Sequence, residues 1–575
     1  MSIINLTTSY PLLYEVVLPG QYIGGEPGAV IKEKDSVKGR FCYAFPDVYT
    51  IGMSNYGLQL LYHLMNSRSD WACERAFTPY PDMEAGLRQY NIPLYSLETH
   101  SPLNEFDVIG FSLQYELCFT NVLTMLDLGR IPLHCRDRSL NDPLIIAGGP
   151  SAVNPEPMAD FIDLFVIGDG EESLPAVCNA WLEEKQQGEQ SGGNRYEVLT
   201  ALARRFPFVV VPQCYKVDYD SSGAALTPRP LEDGVPETVR PAITDDIGKY
   251  EPPVHRIIPL VECVQDRVAV EIMRGCPGRC KFCVSTVQKR PIRCRKPEDI
   301  VRIAYDSCLA TGSNEVSLLS LSTSDYPHFD ELMTLLKEKL LPLNVTVSVP
   351  SLRVNHQLSS VTKQLTTERT SGLTLAPEAA LDEMRQRIGK PVTNENLIAG
   401  CESAFANGFN RVKMYFLCGL PEETNADLDG IIELSYTIWQ LGKKIRGKAP
   451  TVIANVSNFV PKPHTPWERC GMASQYYFLT AHDHLKTRVR RSGVALKYHS
   501  LETSRLEALL CRGDRRVGKI IERAWRLGAR LDTWTDYFRG DYWEQAIHES
   551  GMDANQIIHS PLPDDAELPW GYVRF

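Results

Sequence analysis

The sequence predicts an α/β protein with two successive series of parallel strands, a doubly wound sheet followed by a partial (β/α)6 barrel, and a helical region at its end. Short apolar runs alternate with amphipathic segments from about residue 38 onward, as in parallel sheets whose strands are joined by helices. A second alternating series begins at Val268. Its strand-like runs number six, which favours an open barrel over a closed eight-stranded one.

The apolar pattern locates the individual elements. Residues 39–45 form an apolar run that predicts a strand, and residues 55–65 carry apolar side chains three and four apart, which predicts a helix. Further strands of the first series are predicted at 107–112, 143–147 and 164–168. Strands of the second series are predicted at 268–273, 315–320, 344–349, 372–376, 411–418 and 451–459.

These elements divide the chain into five parts. They are an N-terminal arm (1–37), the doubly wound domain (38–205), a hairpin and linker (206–262), the barrel (263–472) and a helical, basic C-terminal region (473–575). The turn residues at 218–223 and the prolines that follow them predict the hairpin and linker. A chain of 575 residues is long enough for about three to four domains.

Composition indicates an intracellular enzyme and excludes several other classes. A formal net charge of -11 excludes a general binder of polyanions. The first residues lack the features of a secretory signal, and no uninterrupted apolar run reaches the roughly 18 residues needed to span a bilayer. The 16 cysteines are scattered apart from one tight group, which indicates reduced thiols. We expect a cytoplasmic protein with no membrane partner.

Three cysteines after the first barrel strand carry the strongest chemical signal. Cys276, Cys280 and Cys283 are spaced C-x3-C-x2-C, at the end of the strand where barrels place their chemistry. Three thiolates hold three corners of a [4Fe-4S] cluster and leave the fourth iron open to bind and reduce a ligand. The alternative is a structural zinc site, which needs a fourth ligand such as Cys294.

The cysteine spacing, the Phe282 before the third cysteine and the apolar strand that leads into the loop resemble the radical S-adenosylmethionine (SAM) superfamily. The resemblance implies a TIM-like partial barrel in which the open iron binds the methionine end of SAM. It also implies that one electron cleaves SAM to a 5′-deoxyadenosyl radical. Such an enzyme needs an electron donor such as flavodoxin or ferredoxin as a partner.

Polar residues at later strand ends are candidates for contacts to SAM. Ser322 and Ser324 follow the second strand, where the superfamily binds the SAM amino group through a different turn. Glu378 ends the fourth strand and offers a carboxylate to a hydroxyl or ammonium group. Gly419 and Pro421 belong to a stretch that resembles G-x-P-x-E-T, common in members with cobalamin-binding domains. Helix capping is the alternative role for these strand-end residues.

The first domain resembles the Rossmann-like cobalamin-binding domains of part of this superfamily. The loop after its first strand follows the family's D-x-H-x-x-G frame with Asp47, Tyr49 and Gly52, so a tyrosine replaces the histidine that ligates cobalt. A domain that keeps this fold without binding cobalamin is the alternative.

Small residues after later strands extend this resemblance. Ser112, Gly148 and Gly149 stand where the family has its S-x-L and G-G elements, and the acidic turn at 168–172 resembles the turn that closes such domains. We expect these three residues, together with Asp47 and Gly52, to line one cleft at the carboxyl edge of the sheet. Tyr49 is expected to point into that cleft without binding cobalt.

Three functions stay open on these grounds. The first is a radical SAM enzyme in which methylcobalamin donates its methyl group to a substrate carbon. The second is a cobalamin-independent radical enzyme that modifies RNA, bound by the arginines and aromatic residues of the C-terminal region. The third is a non-catalytic Fe–S protein that carries electrons or serves a structural role. In that case Cys294 would close the cluster and prevent SAM binding.

Overall fold

A six-stranded sheet organises the first part of the chain in the computed structural model, which describes residues 6–349, 372–489 and 493–575. Its strands are β1 (Gly39–Phe45), β2 (Trp71–Phe77), β3 (Val108–Ser112), β4 (Leu144–Gly148), β5 (Leu164–Val166) and β6 (Val209–Val210). They lie in the order β2-β1-β3-β4-β5-β6, with the first five parallel and β6 antiparallel. The winding direction of such a sheet reverses between β1 and β3, and ligands bind at that switch point, outside the carboxyl ends of the strands.

The helices of this part connect its strands. They are α1 (Leu6–Glu15), α2 (Tyr49–Gly52), α3 (Tyr56–Asn66), α4 (Pro81–Gln89), α5 (Phe119–Leu128), α6 (Gly170–Ser191) and α7 (Arg195–Arg205). Helix α3 begins at its predicted place because the side-chain oxygen of Asn55 accepts the N–H of Leu58 at 2.9 Å. The four predicted strands are confirmed to within two residues at each end.

Strand β2 is missing from the prediction because charged residues interrupt its apolar pattern. All of its residues are buried. Glu74 accepts a hydrogen bond from Arg40 at 2.8 Å. Arg75 lies between Glu26 and Glu98, at nitrogen–oxygen distances of 3.1 and 2.6 Å. These pairs compensate the charges, which lets a strand with two ionisable side chains lie inside the sheet.

The linker contains the predicted hairpin, in which β7 (Tyr215–Lys216) pairs antiparallel with β8 (Arg229–Pro230). Strand β6 lies before the hairpin and pairs with β5, so the first sheet extends beyond residue 205. An isolated parallel bridge between Val239 and Val573 ties the linker to the last residues of the chain.

Parallel strands in two sheets form the barrel part. They are β9 (Val268–Glu271), β12 (Glu315–Leu319), β13 (Thr346–Ser348), β14 (Leu373–Glu378), β15 (Arg411–Cys418), β16 (Thr451–Asn458) and β17 (Ala495–Tyr498). Two short antiparallel strands, β10 (Met273–Arg274) and β11 (Arg293–Cys294), flank the cysteine loop. The sheet orders are β13-β12-β9 and β14-β15-β16-β17. All six predicted strands are confirmed, and β17 is an additional strand that extends the barrel beyond residue 472.

Helices follow the barrel strands and fill most of the C-terminal region. They are α8 (Ser285–Gln288), α9 (Pro297–Thr311), α10 (Phe329–Leu340), α11 (Asp382–Arg387), α12 (Asn394–Ala406), α13 (Asn425–Arg446), α14 (Gln475–Val489), α15 (Leu501–Arg512), α16 (Val517–Leu527), α17 (Gly540–Ser550) and α18 (Ala554–His559). In the described parts of the chain, no helix combines the length and apolar character that crossing a bilayer requires.

The C-terminal helices pack against the first domain rather than forming a separate body. The hydroxyl of Thr120 on α5 donates to the Asp532 carboxylate at 2.7 Å. The indole N–H of Trp525 donates to the Thr124 hydroxyl at 3.0 Å. All four side chains are buried. The first and last parts of the chain therefore share one core.

Candidate functional site

The cysteine loop leaves the first barrel strand through a glycine. Gly275 has a φ of 94°, and a Cβ at this position would lie 2.6 Å from the carbonyl oxygen of Lys289. Only glycine fits such a turn without strain. The loop then closes on itself, since the N–H of Cys283 donates to the carbonyl oxygen of Cys280 at 3.1 Å.

Cys276, Cys280 and Cys283 are buried or half-buried, whereas Cys294 is exposed. Burial raises the pKa of the Cys283 thiol, and the charges of Cys276 and Glu378 raise it further. Burial also raises the pKa of Tyr326, and the charge of Cys294 adds to this rise. In the described parts of the chain, no three His, Cys, Asp or Glu side chains converge enough to share a single metal ion. Thiolates bound at separate corners of a [4Fe-4S] cluster do not need to share one ion.

A second segment holds the cysteine loop from outside. The N–H of Lys281 donates to the carbonyl oxygen of Ile388 at 2.9 Å. Lys390, two residues after Ile388, donates to the Glu378 carboxylate at 3.0 Å. Glu378 itself lies at an irregularity in β14 and has a φ of 67°, a conformation that non-glycine residues adopt rarely and mostly at functional sites. One short segment thus positions both the loop and the carboxylate predicted to contact SAM.

The serines predicted to contact SAM have a different environment. Ser322 is buried, and its hydroxyl donates to the Asp325 carboxylate at 2.6 Å, which closes the turn after β12. Ser324 is buried in the same turn. Ser320 and Leu321, the two residues before Ser322, instead line a cavity that lies between the first sheet and the barrel.

Gly419 lies in a turn organised by Glu423, which occupies the acidic position of the G-x-P-x-E-T stretch. Gly419 has a φ of 80°, and its N–H donates to Glu423 at 2.6 Å. The Tyr477 hydroxyl donates to the same carboxylate oxygen. Burial raises the pKa of Glu423 to about 7, although these hydrogen bonds act in the opposite direction. Nothing in the sequence near Glu423 reveals this burial, because Tyr477 is 54 residues away.

Helix capping in this stretch falls to neighbouring residues. Helix α13 begins with a capping box between Thr424 and Asp427, in which each side chain bonds the other residue's backbone N–H. Pro421 lies before that box, partly buried within the turn. The capping role therefore does not apply to Gly419 or Pro421. Their contact with SAM stays a prediction.

A cavity of about 510 Å³ lies between the first sheet and the barrel. On one side it is lined by residues from the middle of β1 and from the carboxyl ends of β3, β4 and β5, and on the other by residues that follow β9 and β12. Ser112, Gly148 and Gly149 line it, in the place predicted for them. A Cβ on Gly148 would have one neighbour within 4 Å, the carbonyl oxygen of Val166 at 3.4 Å. This glycine therefore leaves room inside the cavity.

The cavity continues as an apolar slot along the first sheet. Its walls are formed by strands of the first sheet and by helices α3 and α6. The residues that line it are Phe41, Leu60, Leu61, Gly110, Ile146, Val166 and Leu174. Polar groups such as Tyr56 and Gln114 stand at its mouth. The slot lies at the switch point between β1 and β3, where doubly wound sheets bind their ligands. The shape suits a ligand with an apolar end and a polar body.

Three residues predicted to lie at this cleft are elsewhere, and the prediction is wrong for them. Asp47 accepts a hydrogen bond from the indole of Trp534 at 2.9 Å. Tyr49 is buried, and its hydroxyl donates to Glu26 at 3.0 Å. Gly52 packs so close to Phe77 that a Cβ there would lie 2.2 Å from its ring. None of these three residues belongs to the lining of the cavity.

Charged residues from both domains form one wall of the cavity. Asp169 lies in the acidic turn after β5 and pairs with Arg274 at 3.2 Å and with Arg293. Arg274 also pairs with Glu271 at 2.9 Å and with Glu171. Burial would raise the pKa of Asp169, but the nearby cations hold it below its ordinary value. Among these residues, only the acidic turn was recognised from sequence, because the partners lie more than 100 residues apart.

Several arginines of the C-terminal region are engaged within the protein. Arg515 pairs with the buried Glu156 at 3.0 Å, and Arg530 pairs with Glu84 at 3.0 Å. Others pair along or between the C-terminal helices, including Arg523 with Glu549 and Arg526 with Glu522. These arginines join parts of the fold, and RNA binding by this region stays a prediction.

Comparison with known proteins places these features in a family. Residues 57–212 match the family model for the N-terminal part of radical SAM proteins, and residues 270–435 match the model for the radical SAM superfamily. MJ0966, an uncharacterized protein of Methanocaldococcus jannaschii, is 26% identical over 446 residues, which are 76% of this chain and 84% of that protein. A structure of the radical SAM methyltransferase TsrM from Kitasatospora setae, with cobalamin and a [4Fe-4S] cluster bound, matches 89% of this chain and 100% of that chain with a TM-score of 0.55 at 13% identity.

A doubly wound domain joined to a partial barrel, with an open three-cysteine loop at the barrel's first strand, defines a class of cluster-dependent enzymes. The chain belongs to the radical SAM superfamily. Membership implies a [4Fe-4S] cluster and SAM as its ligand. Cys276, Cys280 and Cys283 stay the predicted ligands of that cluster. The likeness to TsrM concerns the fold.

Proposed function

We propose that the protein is a radical SAM enzyme that binds cobalamin in the cavity between its first sheet and the barrel, and that it methylates a carbon atom of its substrate. The observation that carries this proposal is the continuity of the site. The same cavity reaches the switch point of the first sheet and the two ends of the cysteine loop, at Gly275 and Ser285. A cofactor in it would therefore lie within a few residues of the cluster.

The walls of the cavity have the chemistry that a corrinoid requires. Cobalamin carries an aromatic base on a nucleotide tail, and the apolar slot of the first sheet offers this base a dry, flat compartment. Its amide-bearing ring needs hydrogen-bonding groups, and Gln114 and Ser320 provide them in the lining. When bound, cobalamin supplies the methyl group. The missing side chain of Gly148 lets the ligand approach the strand ends.

At the barrel side, the residues near the cysteines are suited to hold SAM. Glu378 presents a carboxylate that Lys390 orients, and the charge of that carboxylate raises the pKa of Cys283. A carboxylate in that place can accept a hydrogen bond from an ammonium or hydroxyl group. The exposed position of Cys294 supports an open cluster rather than a closed electron carrier.

Anaerobic reconstitution with iron, sulfide and hydroxocobalamin tests this function. We expect about one corrinoid per chain, measured from its absorption spectrum after gel filtration, and reductive SAM turnover that depends on the cluster. Cobinamide, which lacks the nucleotide tail, should bind at least about tenfold more weakly because the slot stays empty. If the reconstituted protein retains no corrinoid, the cobalamin proposal fails.

A graded pair of substitutions links binding to the cavity. Gly148→Leu should abolish corrinoid retention because its side chain fills the space in front of the strand. Gly148→Ala is the matched control, since its Cβ would make an ordinary contact at 3.4 Å. Both variants should keep the iron content of the wild type. Equal corrinoid retention by the two variants would contradict this placement of the cofactor.

A further inference from the structure

The wall of charged residues in the cavity has more basic than acidic groups. The acids are Asp169, Glu171 and Glu271, whereas the basic residues on this wall and directly behind it are Arg256, Arg274, Lys289, Arg293 and Arg295. Arg256, Arg293 and Arg295 are buried. Buried cations are normally matched by anions, because removing a charge from water is costly. This wall therefore has fewer acids than its cations require.

Two arginines use all three acids. Arg274 pairs with each of them, and Arg293 shares Asp169. Arg256 and Arg295 donate to backbone carbonyl oxygens instead, and each retains a buried nitrogen that has no hydrogen-bond partner among the described residues. The excess positive charge thus has no counterpart on the protein side of the wall.

Lys289 lines the cavity and has unused hydrogen-bonding capacity. The nearest acid to the Lys289 ammonium is Asp169, at 3.9 Å, which is too far for a hydrogen bond. Burial lowers the pKa of Lys289, although the charges of Asp169, Glu271 and Glu171 act in the opposite direction.

We propose that Lys289 binds an anionic oxygen group, a phosphate or a carboxylate, of a ligand in this cavity. A charge-assisted hydrogen bond of this kind gives the excess cation its counterpart. Two ligands carry such a group. One is the phosphodiester in the nucleotide tail of cobalamin, and this source rests on the proposed function. The other is an anionic substrate.

Binding titrations on the reconstituted full-length protein distinguish these sources. The variants are Lys289→Met and Lys289→Arg, and Lys216→Met is the matched control because Lys216 is exposed in the hairpin and pairs with Asp218. The probes are cobalamin, cobinamide and inorganic phosphate, the last followed by phosphorus NMR line broadening. Lys289→Arg should retain most of the wild-type affinity, because it keeps the charge.

If the anion is the phosphodiester, Lys289→Met should weaken cobalamin binding about tenfold and leave cobinamide binding unchanged, since cobinamide has no phosphate. If the anion belongs to the substrate, both corrinoids should bind as before, and inorganic phosphate should bind the wild type but not Lys289→Met. Equal weakening of both corrinoids, or no change with any probe, would overturn the proposal. A wild type that binds neither corrinoid refutes the cobalamin function alone, because the phosphate titration still reports on Lys289.

Discussion

Replacing Glu423 by Gln should change how stability depends on pH. Burial raises the pKa of Glu423 from its ordinary value of 4.5 to about 7. At about 1.4 kcal/mol for each pH unit, this rise corresponds to a loss of about 3 kcal/mol when the carboxyl group ionises in the folded protein. The folded state binds the proton more tightly than the unfolded state, so the contribution is fully present below pH 4.5 and is lost as the pH rises through 7.

The measurement is the urea unfolding of the barrel, followed at several pH values between 4.5 and 8. Glu423→Gln has no proton to lose, and it should therefore become more stable than the wild type, by up to about 3 kcal/mol, as the pH passes 7. Glu422→Gln is the matched control, because the neighbouring Glu422 side chain is exposed and pairs with Arg387. A stability difference between Glu423→Gln and the wild type that is constant across this range would refute the reasoning.

Three further predictions concern the cluster, the SAM contact and the core. Cys280→Ala should abolish the iron–sulfur absorption and SAM turnover, whereas Cys294→Ala should keep both, and loss of the cluster in the second variant would favour a closed site. Lys390→Met should weaken SAM binding about tenfold at unchanged iron content, because Glu378 loses its orienting partner, and Lys390→Arg should restore it. Unchanged SAM affinity in Lys390→Met would show that Lys390 does not position Glu378 for SAM binding. Arg75→Met should lower the unfolding free energy by about 3–5 kcal/mol in urea titrations, since two buried carboxylates lose their shared cation. A decrease in unfolding free energy below about 1 kcal/mol would show that water reaches the carboxylates of Glu26 and Glu98.

The sequence predicts the strands with clear apolar runs, and it fails where burial depends on distant partners. Strand β2 escapes the pattern because Glu74 and Arg75 are buried through pairs with residues 23 to 49 positions away. Strands β6 and β17 are short and are recognisable only from the strands they pair with. Local periodicity contains no information on such long-range pairs.

The residues of the candidate site were likewise predicted only in part. Ser112, Gly148 and Gly149 lie at the cavity because the carboxyl ends of parallel strands share one edge, which follows from strand positions alone. Asp47 and Tyr49 also follow a strand, but they bond to Trp534 and Glu26 instead. A sequence motif specifies how far apart its residues are along the chain. It does not specify on which side of the sheet their side chains lie. Lys289 could not be identified from sequence. Its proposed role depends on nearby carboxylates that already pair with Arg274 and Arg293.

The contact between Thr120 and Asp532 has a consequence for the synthesis of the protein. These partners are separated by 412 positions in the chain. At about 5–20 residues per second, a ribosome needs roughly 20 to 80 seconds to make the intervening segment. During that interval helix α5 has emerged, but the face that Trp525 and Asp532 will cover is open to water and to other chains. The nascent chain therefore leaves this face uncovered until the last helices are made, and a chain that stops before them would keep it exposed.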